Sequence, residues 1–172
     1  MADDGSSDAD ALECREPTLE DLRDICRELN RRGARYIVIG GFALRAAGYN
    51  RRTMDVDLMV AGDPENERLV FEALATLPDG ASRELRPGEL QMYSVVRVAD
   101  EILVDLLTKA GGIDYAEAAR DADVRDIDGV RIPFASPRVL WRMKRVTHRE
   151  KDAGDLVFLR YWFSERGETP PD

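Results

Sequence analysis

The sequence predicts a mixed α/β domain, a mixed sheet flanked by helices with a small helical segment at its C-terminal end. Three observations carry this. The β-branched run Arg35-Tyr36-Ile37-Val38-Ile39 passes straight into Gly40-Gly41 and a helical stretch. Two further apolar runs, Val56–Val60 and Glu101–Thr108, alternate with amphipathic segments. The last part of the chain, from Ser136, reads as helix alone. With 172 residues the chain is sized for one domain.

The elements follow in order. Thr18-Leu19-Glu20-Asp21 is a capping box, and Leu19, Leu22, Ile25, Cys26 and Leu29 then recur at helical spacing until Gly33. Arg35–Ile39 is a buried strand, and Phe42–Ala47 a short helix ending at Gly48. Val56–Val60 is the second strand. Asp63 as N-cap with Pro64 at the first helical position opens a helix reaching about Leu77. Gln91–Val98 and Glu101–Thr108 are expected as strands joined by a tight turn at Ala99-Asp100. Tyr115–Arg120 is a short helix. Asp128-Gly129 between Asp123–Ile127 and Val130–Pro133 is a hairpin turn. Ser136-Pro137 caps a helix to about Val146, and Asp152–Phe163 is a last amphipathic helix. The organisation expected is a flexible acidic tail (1–16), a core (17–135), C-terminal helices packed on it (136–166) and a flexible tail (167–172).

Composition excludes several classes. No run of about 18 apolar residues exists, so no membrane helix is expected. The N-terminus is acidic without an apolar stretch, unlike a secretory signal, and too poor in arginine for a mitochondrial presequence; a cytoplasmic protein is expected. Cys14 and Cys26 lack the partners of a zinc site and are read as reduced residues. The single histidine, His148, is read as a surface residue; it excludes a multi-histidine metal site and argues against a Ser-His-Asp hydrolase. The formal charge is −9, of which −5 falls on residues 1–16, where six acids face Arg15 alone. That balance opposes a broad nucleic-acid surface and leaves room for a local basic patch. Trp141, Phe158, Tyr161 and Trp162 are expected to pack the C-terminal helices together.

Three features carry chemistry. At Gly40-Gly41 the absence of side chains lets the backbone approach a phosphate, with helix N–H groups aimed at it; the plainer explanation is a tight turn. Asp55-Val56-Asp57 at a strand start puts two carboxylates on one face, suited to sharing a metal; alone, it reads as an acidic strand end wetted by solvent. Asp105 stands within Ile102-Leu103-Val104-Asp105-Leu106-Leu107, where an unpaired charge is costly. It needs a cation, which a metal shared with Asp55 and Asp57 would supply, a hydrogen-bond network, or a sheet end open to water; the plainer explanation is a buried pair with one of the many arginines.

Together these pieces resemble the nucleotidyltransferase superfamily, which includes DNA polymerase β and the CCA-adding enzymes. The resemblance is closest to small prokaryotic members of the abortive-infection and toxin–antitoxin type. It runs through Gly40-Gly41-Phe42-Ala43-Leu44, Arg52-Thr53-Met54-Asp55-Val56-Asp57-Leu58 and Asp105, with Lys144 and the Arg149-Glu150-Lys151-Asp152 cluster similar to the family's closing helix. Many active members carry Gly-Ser at the turn, its hydroxyl on a phosphate. Gly41 departs from that in the manner of the CCA-adding and abortive-infection branches.

The resemblance implies metal-dependent transfer of an NMP from an NTP to an acceptor hydroxyl, with release of pyrophosphate. Mg²⁺ or Mn²⁺ would be held by Asp55, Asp57 and Asp105, with Asp105 also a candidate base. Gly40, Gly41, Arg52, Thr53 and Lys144 would hold the nucleotide, with ATP among the candidates. The acceptor stays open among a tRNA or other RNA, a protein hydroxyl and a small molecule, and a cognate antitoxin is a candidate partner. Taken alone, Arg52 and Lys144 read equally as solvated basic residues, and Arg149, Lys151, Asp152 and Asp155 as a solvated helix face. A protein of this fold that binds a nucleotide or partner without transfer is the alternative.

Overall fold

A computed structural model describes residues 13–172. Helix α1 (Leu19–Arg31) starts at the predicted box: Thr18 Oγ1 accepts from Asp21 N, and the Asp21 carboxylate accepts from Thr18 N. It buries Leu22, Ile25, Cys26 and Leu29. Strand β1 (Tyr36–Ile39), helix α2 (Gly40–Ala46) and strand β2 (Asp55–Val60) follow. Helix α3 (Pro64–Leu74) is capped by Asp63, which accepts from Asn66 N.

After a 3₁₀ turn at Ala81–Glu84 come the short helix α4 (Glu89–Met92) and strands β3 (Val96–Ala99) and β4 (Leu103–Leu107). Next are a two-residue ladder, β5 (Lys109–Ala110) with β6 (Ile113–Asp114), helix α5 (Tyr115–Ala119), and the hairpin β7 (Asp123–Ile127) and β8 (Val130–Phe134). Helix α6 (Pro137–Lys144), a 3₁₀ turn at Glu150–Asp152 and helix α7 (Ala153–Glu165) complete the chain.

The six-stranded sheet runs β3-β4-β2-β1-β8-β7. It is mixed: β2 pairs parallel to β4 and β1 parallel to β8, while β1–β2, β3–β4 and β7–β8 are antiparallel. Ile37, Val38, Val56, Leu58, Val104 and Leu106 are fully buried at its centre, with Ile39 and Leu103 nearly so.

One expectation needs correction, and the two segments expected as tails make contacts. The strand expected over Gln91–Val98 starts only at Val96, because residues 89–92 are helical. The cause is distant in sequence: the buried Glu67 carboxylate accepts from Gly88 N and Leu90 N, at 2.7 and 3.0 Å, and so satisfies the start of α4. The acidic tail expected over 1–16 falls on residues 1–12 outside the described part, but residues 13–16 are tied down. Arg15 pairs with Asp21 and Glu101, and Glu16 with Arg52. The C-terminal tail also docks, since Trp141 Nε1 donates to Pro171 O at 2.9 Å and Glu168 pairs with Arg138.

Candidate active site

The three aspartates meet because of strand register. Asp57 on β2 stands between Ile39 on β1 and Asp105 on β4. Asp55, two residues earlier, shares the face of Asp57. One carboxylate oxygen from each of Asp55, Asp57 and Asp105 lies within 4.8 Å of the others. Gly40 follows β1 with φ +67°, and a Cβ there would overlap Asp57 Oδ2. Backbone conformation and space therefore both require glycine at this position. Gly40→Ala is expected to cost more than about 1 kcal/mol in urea unfolding and to push Asp57 out of line with Asp55 and Asp105.

Crowding three acids has an electrostatic cost. Burial, and then the Asp55 and Asp105 charges, hold Asp57 well above the usual carboxylate range. Burial and the neighbouring Asp105 raise Asp55 likewise. A divalent cation relieves this, and hard oxygen donors at this spacing suit Mg²⁺ or Mn²⁺. With Gly40 letting the Asp57 carboxylate sit against the turn and beside Asp55 and Asp105, the residues present fit such an ion.

A second wall faces the acids across a cleft of about 230 Å³. It comes from α6 and the turn into α7. Lys144 Nζ donates to Asp152 Oδ1 at 3.0 Å and makes an ion pair with Asp155 Oδ2 at 3.0 Å. Arg149 and Thr147 hold the other Asp152 oxygen. Arg51, from the loop before β2, lies 3.4 Å from Asp155 Oδ1. Tyr49 stacks on Phe158 with ring centroids 4.8 Å apart, fastening that loop to α7. A larger cavity of about 530 Å³, between α3 and residues 82–91, gathers no such cluster of acids.

Acids at the strand ends, the Gly40 turn after β1 and a basic closing segment thus meet in one cleft. A family described as nucleotidyl transferase of unknown function (DUF2204) matches residues 18–167. The chain belongs to this family.

Solved structures share the nucleotidyl transferase's fold. A Thermotoga maritima protein assigned as a nucleotidyltransferase is 17% identical and aligns over 86% of this chain and 93% of its own, with a TM-score of 0.53. An antigenic nucleotidyltransferase-like protein from Paracoccidioides brasiliensis is 17% identical over 88% of this chain and 79% of its own, TM-score 0.54. ANT(2″)-Ia in complex with adenylyl-2″-tobramycin is 14% identical over 84% and 89%, TM-score 0.50. At these identities the likeness is one of fold. No curated protein matches the sequence significantly.

In this nucleotidyl transferase Gly40, Asp55, Asp57, Asp105 and Lys144 line the cleft. The other residues expected at the nucleotide sit elsewhere. The Arg52 side chain is 73% exposed and pairs with Glu16. Thr53 is buried and donates to Asp55 O at 3.0 Å. Gly41 faces Thr53, whose Oγ1 would stand 2.5 Å from an added Cβ, so glycine there serves packing of the loop onto α2.

Asp152 and Asp155, expected on a solvated face, are each 2% exposed. Two arginines of the cleft, Arg51 and Arg97, went unread. Arg97 on β3 stands opposite Asp105 and forks onto it, Nε to Oδ1 at 2.9 Å and Nη2 to Oδ2 at 3.0 Å. Among 22 arginines no local signal marks them; a β3–β4 register would have pointed to Arg97. His148 is exposed, as expected. Trp141 and Phe163 meet edge to face in the α6–α7 packing, while Tyr161 stays largely exposed. Among the described residues no helix is long and apolar enough to cross a membrane.

Proposed function

We propose that this chain moves an NMP from a metal-bound NTP to an acceptor hydroxyl, releasing pyrophosphate. The observation that carries the reading is the convergence of Asp55, Asp57 and Asp105 beside the Gly40 turn. In the reaction the acceptor oxygen bonds to the α-phosphorus, and the bond from that phosphorus to the β-phosphate bridge oxygen breaks. The hydroxyl proton leaves to the Asp105 carboxylate or to water. Asp55, Asp57 and Asp105 would hold Mg²⁺ or Mn²⁺, which supplies charge neutralisation on the transferring phosphate. Gly40 lets the Asp57 carboxylate pack against the turn, and its backbone lines the cleft where the phosphates would lie. Lys144, Arg51 and Arg149 offer cations on the facing wall for the rest of the triphosphate. The cleft is smaller than the roughly 300–1,000 Å³ of pockets that enclose a whole ligand, so nucleoside and acceptor extend beyond it.

For the acceptor, the sequence resemblance favours RNA in a toxin–antitoxin or phage-defence setting with a cognate antitoxin. The neighbour holding adenylyl-2″-tobramycin favours a small-molecule hydroxyl. Cys14 and Cys26, read as reduced thiols, suit a reducing compartment such as the cytoplasm.

The test is incubation with Mg²⁺ and each α-labelled NTP, offering total RNA, protein extract and aminoglycosides as acceptors in parallel. Label on one acceptor class with matching pyrophosphate release is expected. Before any acceptor is found, millimolar Mg²⁺ or Mn²⁺ with NTP should raise the melting temperature, and the rise should grow with concentration, by about 2.7 kcal/mol of stabilisation at 100 times Kd. A melting temperature indifferent to both ions overturns the metal assignment.

A nucleotide- or partner-binding protein without transfer is the second reading. The Arg97 fork on Asp105 favours it, because that carboxylate is already engaged. Metal and NTP binding with no transfer to any acceptor would select it.

A further inference from the structure

We propose that Arg97 stands in for a second, acceptor-side cation, so that the site takes one divalent ion and not two. The inference rests on the metal reading of the acids given above. Strand register fixes the Arg97 position, since β3 runs antiparallel to β4 with Arg97 directly opposite Asp105. Its guanidinium meets both Asp105 oxygens, and Nη2 also lies 3.9 Å from Asp55 Oδ2. It therefore sits between the Asp105 and Asp55 carboxylates, where a second cation would have to compete with it.

A guanidinium is charged at every working pH, and its planar fork matches a carboxylate in a way an ammonium cannot. Three carboxylates carry three negative charges. Arg97 cancels one, and one divalent ion at Asp55 and Asp57 cancels the other two. A second divalent ion would have to displace Arg97 from Asp105 or sit against its positive charge. The Arg97 side chain is held at the acids by its two bonds to Asp105, which a second ion would have to break.

Arg97 is thus a positioning residue: it orients Asp105 and supplies fixed charge where an exchangeable ion would sit. The closing segment provides the triphosphate-side cations independently, so Arg97 is not needed there.

The experiment is a Mn²⁺ titration of the full chain, followed by the paramagnetic signal of free Mn²⁺, with and without the non-transferable analogue α,β-methylene-ATP. Wild type is expected to bind one Mn²⁺ per chain beyond any held by the analogue in solution. Arg97→Gln is expected to bind two, the second at least tenfold more tightly than wild type binds any second ion. Arg97→Lys, which keeps the charge without the fork, is expected to stay at one.

Two ions in wild type overturn the proposal and leave the transferase reading standing. One ion in both wild type and Arg97→Gln overturns it as well, because something other than Arg97 then excludes the second. No ion in any form overturns this proposal and the metal reading together. Wild-type stoichiometry decides between one and two even if Arg97→Gln fails to fold.

Discussion

Asp57→Asn is expected to lower nucleotidyl transfer by at least about 10²–10³-fold, the scale on which one preorganised electrostatic group acts, while raising the melting temperature of the metal-free protein. The two effects share a cause. Asp57 is half-buried beside Asp55 and Asp105, and both circumstances penalise its charge. Its folded pKa lies above the ordinary 3.8, so the folded state keeps a proton that the unfolded chain has released. The metal-free protein is then most stable below about pH 4 with respect to this group and loses stability as pH rises through the raised value. Asparagine fills the same space without that penalty, so the pH slope should flatten. Thermal melts from pH 4 to 8, with and without Mn²⁺, check it: wild type should regain with metal what it loses with pH, and Asp57→Asn should show a shallower pH slope and a smaller gain from metal. Equal transfer by wild type and Asp57→Asn would remove Asp57 from the mechanism.

Lys144→Met is expected to be among the most destabilising single changes in the chain, at about 3–5 kcal/mol in urea unfolding. Lys144 is 8% exposed and faces two buried carboxylates. Methionine would fill much of the volume and leave both acids without their central cation. Burial alone would raise Asp152, but hydrogen bonds from Thr147, Lys144 and Arg149 prevail and bring it to about 2. Its contribution is therefore present above the ordinary 3.8 and lost as pH falls towards about 2. In Lys144→Met that acid-side loss should shrink, because less remains to be lost. Asp155→Asn is no neutral control for the active site, since Asp155 faces both Lys144 and Arg51. A Lys144→Met protein as stable as wild type would show that the pair is offset by solvent reaching the cleft.

The sequence made the acidic half of the site legible. Strand alternation puts Asp55 and Asp57 on one face, an acid inside Val104-Asp105-Leu106 demands a partner, and a strand ending at double glycine marks the turn. All three are local signals. The basic half was legible only in part: the resemblance placed Lys144 in the site, while the meaning of Arg51 and Arg97 is set by tertiary contacts. Arg97 gains its role from lying across a strand pair from Asp105, and Arg51 from a helix a hundred positions away. Asp152 and Asp155 read as solvated because acids near a helix start usually are; here Lys144 folds under them. The misplaced start of β3 has the same origin, since the Glu67 carboxylate that stabilises α4 lies on another element.

The order of the strands in the sheet also bears on when the site comes into being. β1 takes β8 as its parallel neighbour, and Lys144, Asp152 and Asp155 come later still. A chain growing on the ribosome therefore releases Asp55, Asp57 and Asp105 well before β8 or the basic wall exists. Until then the acids repel one another with only Arg97 to offset them, and β1 has one edge open. The site is therefore completed last by its basic wall, and an unfinished chain carries the acids of the transferase without the wall that faces them.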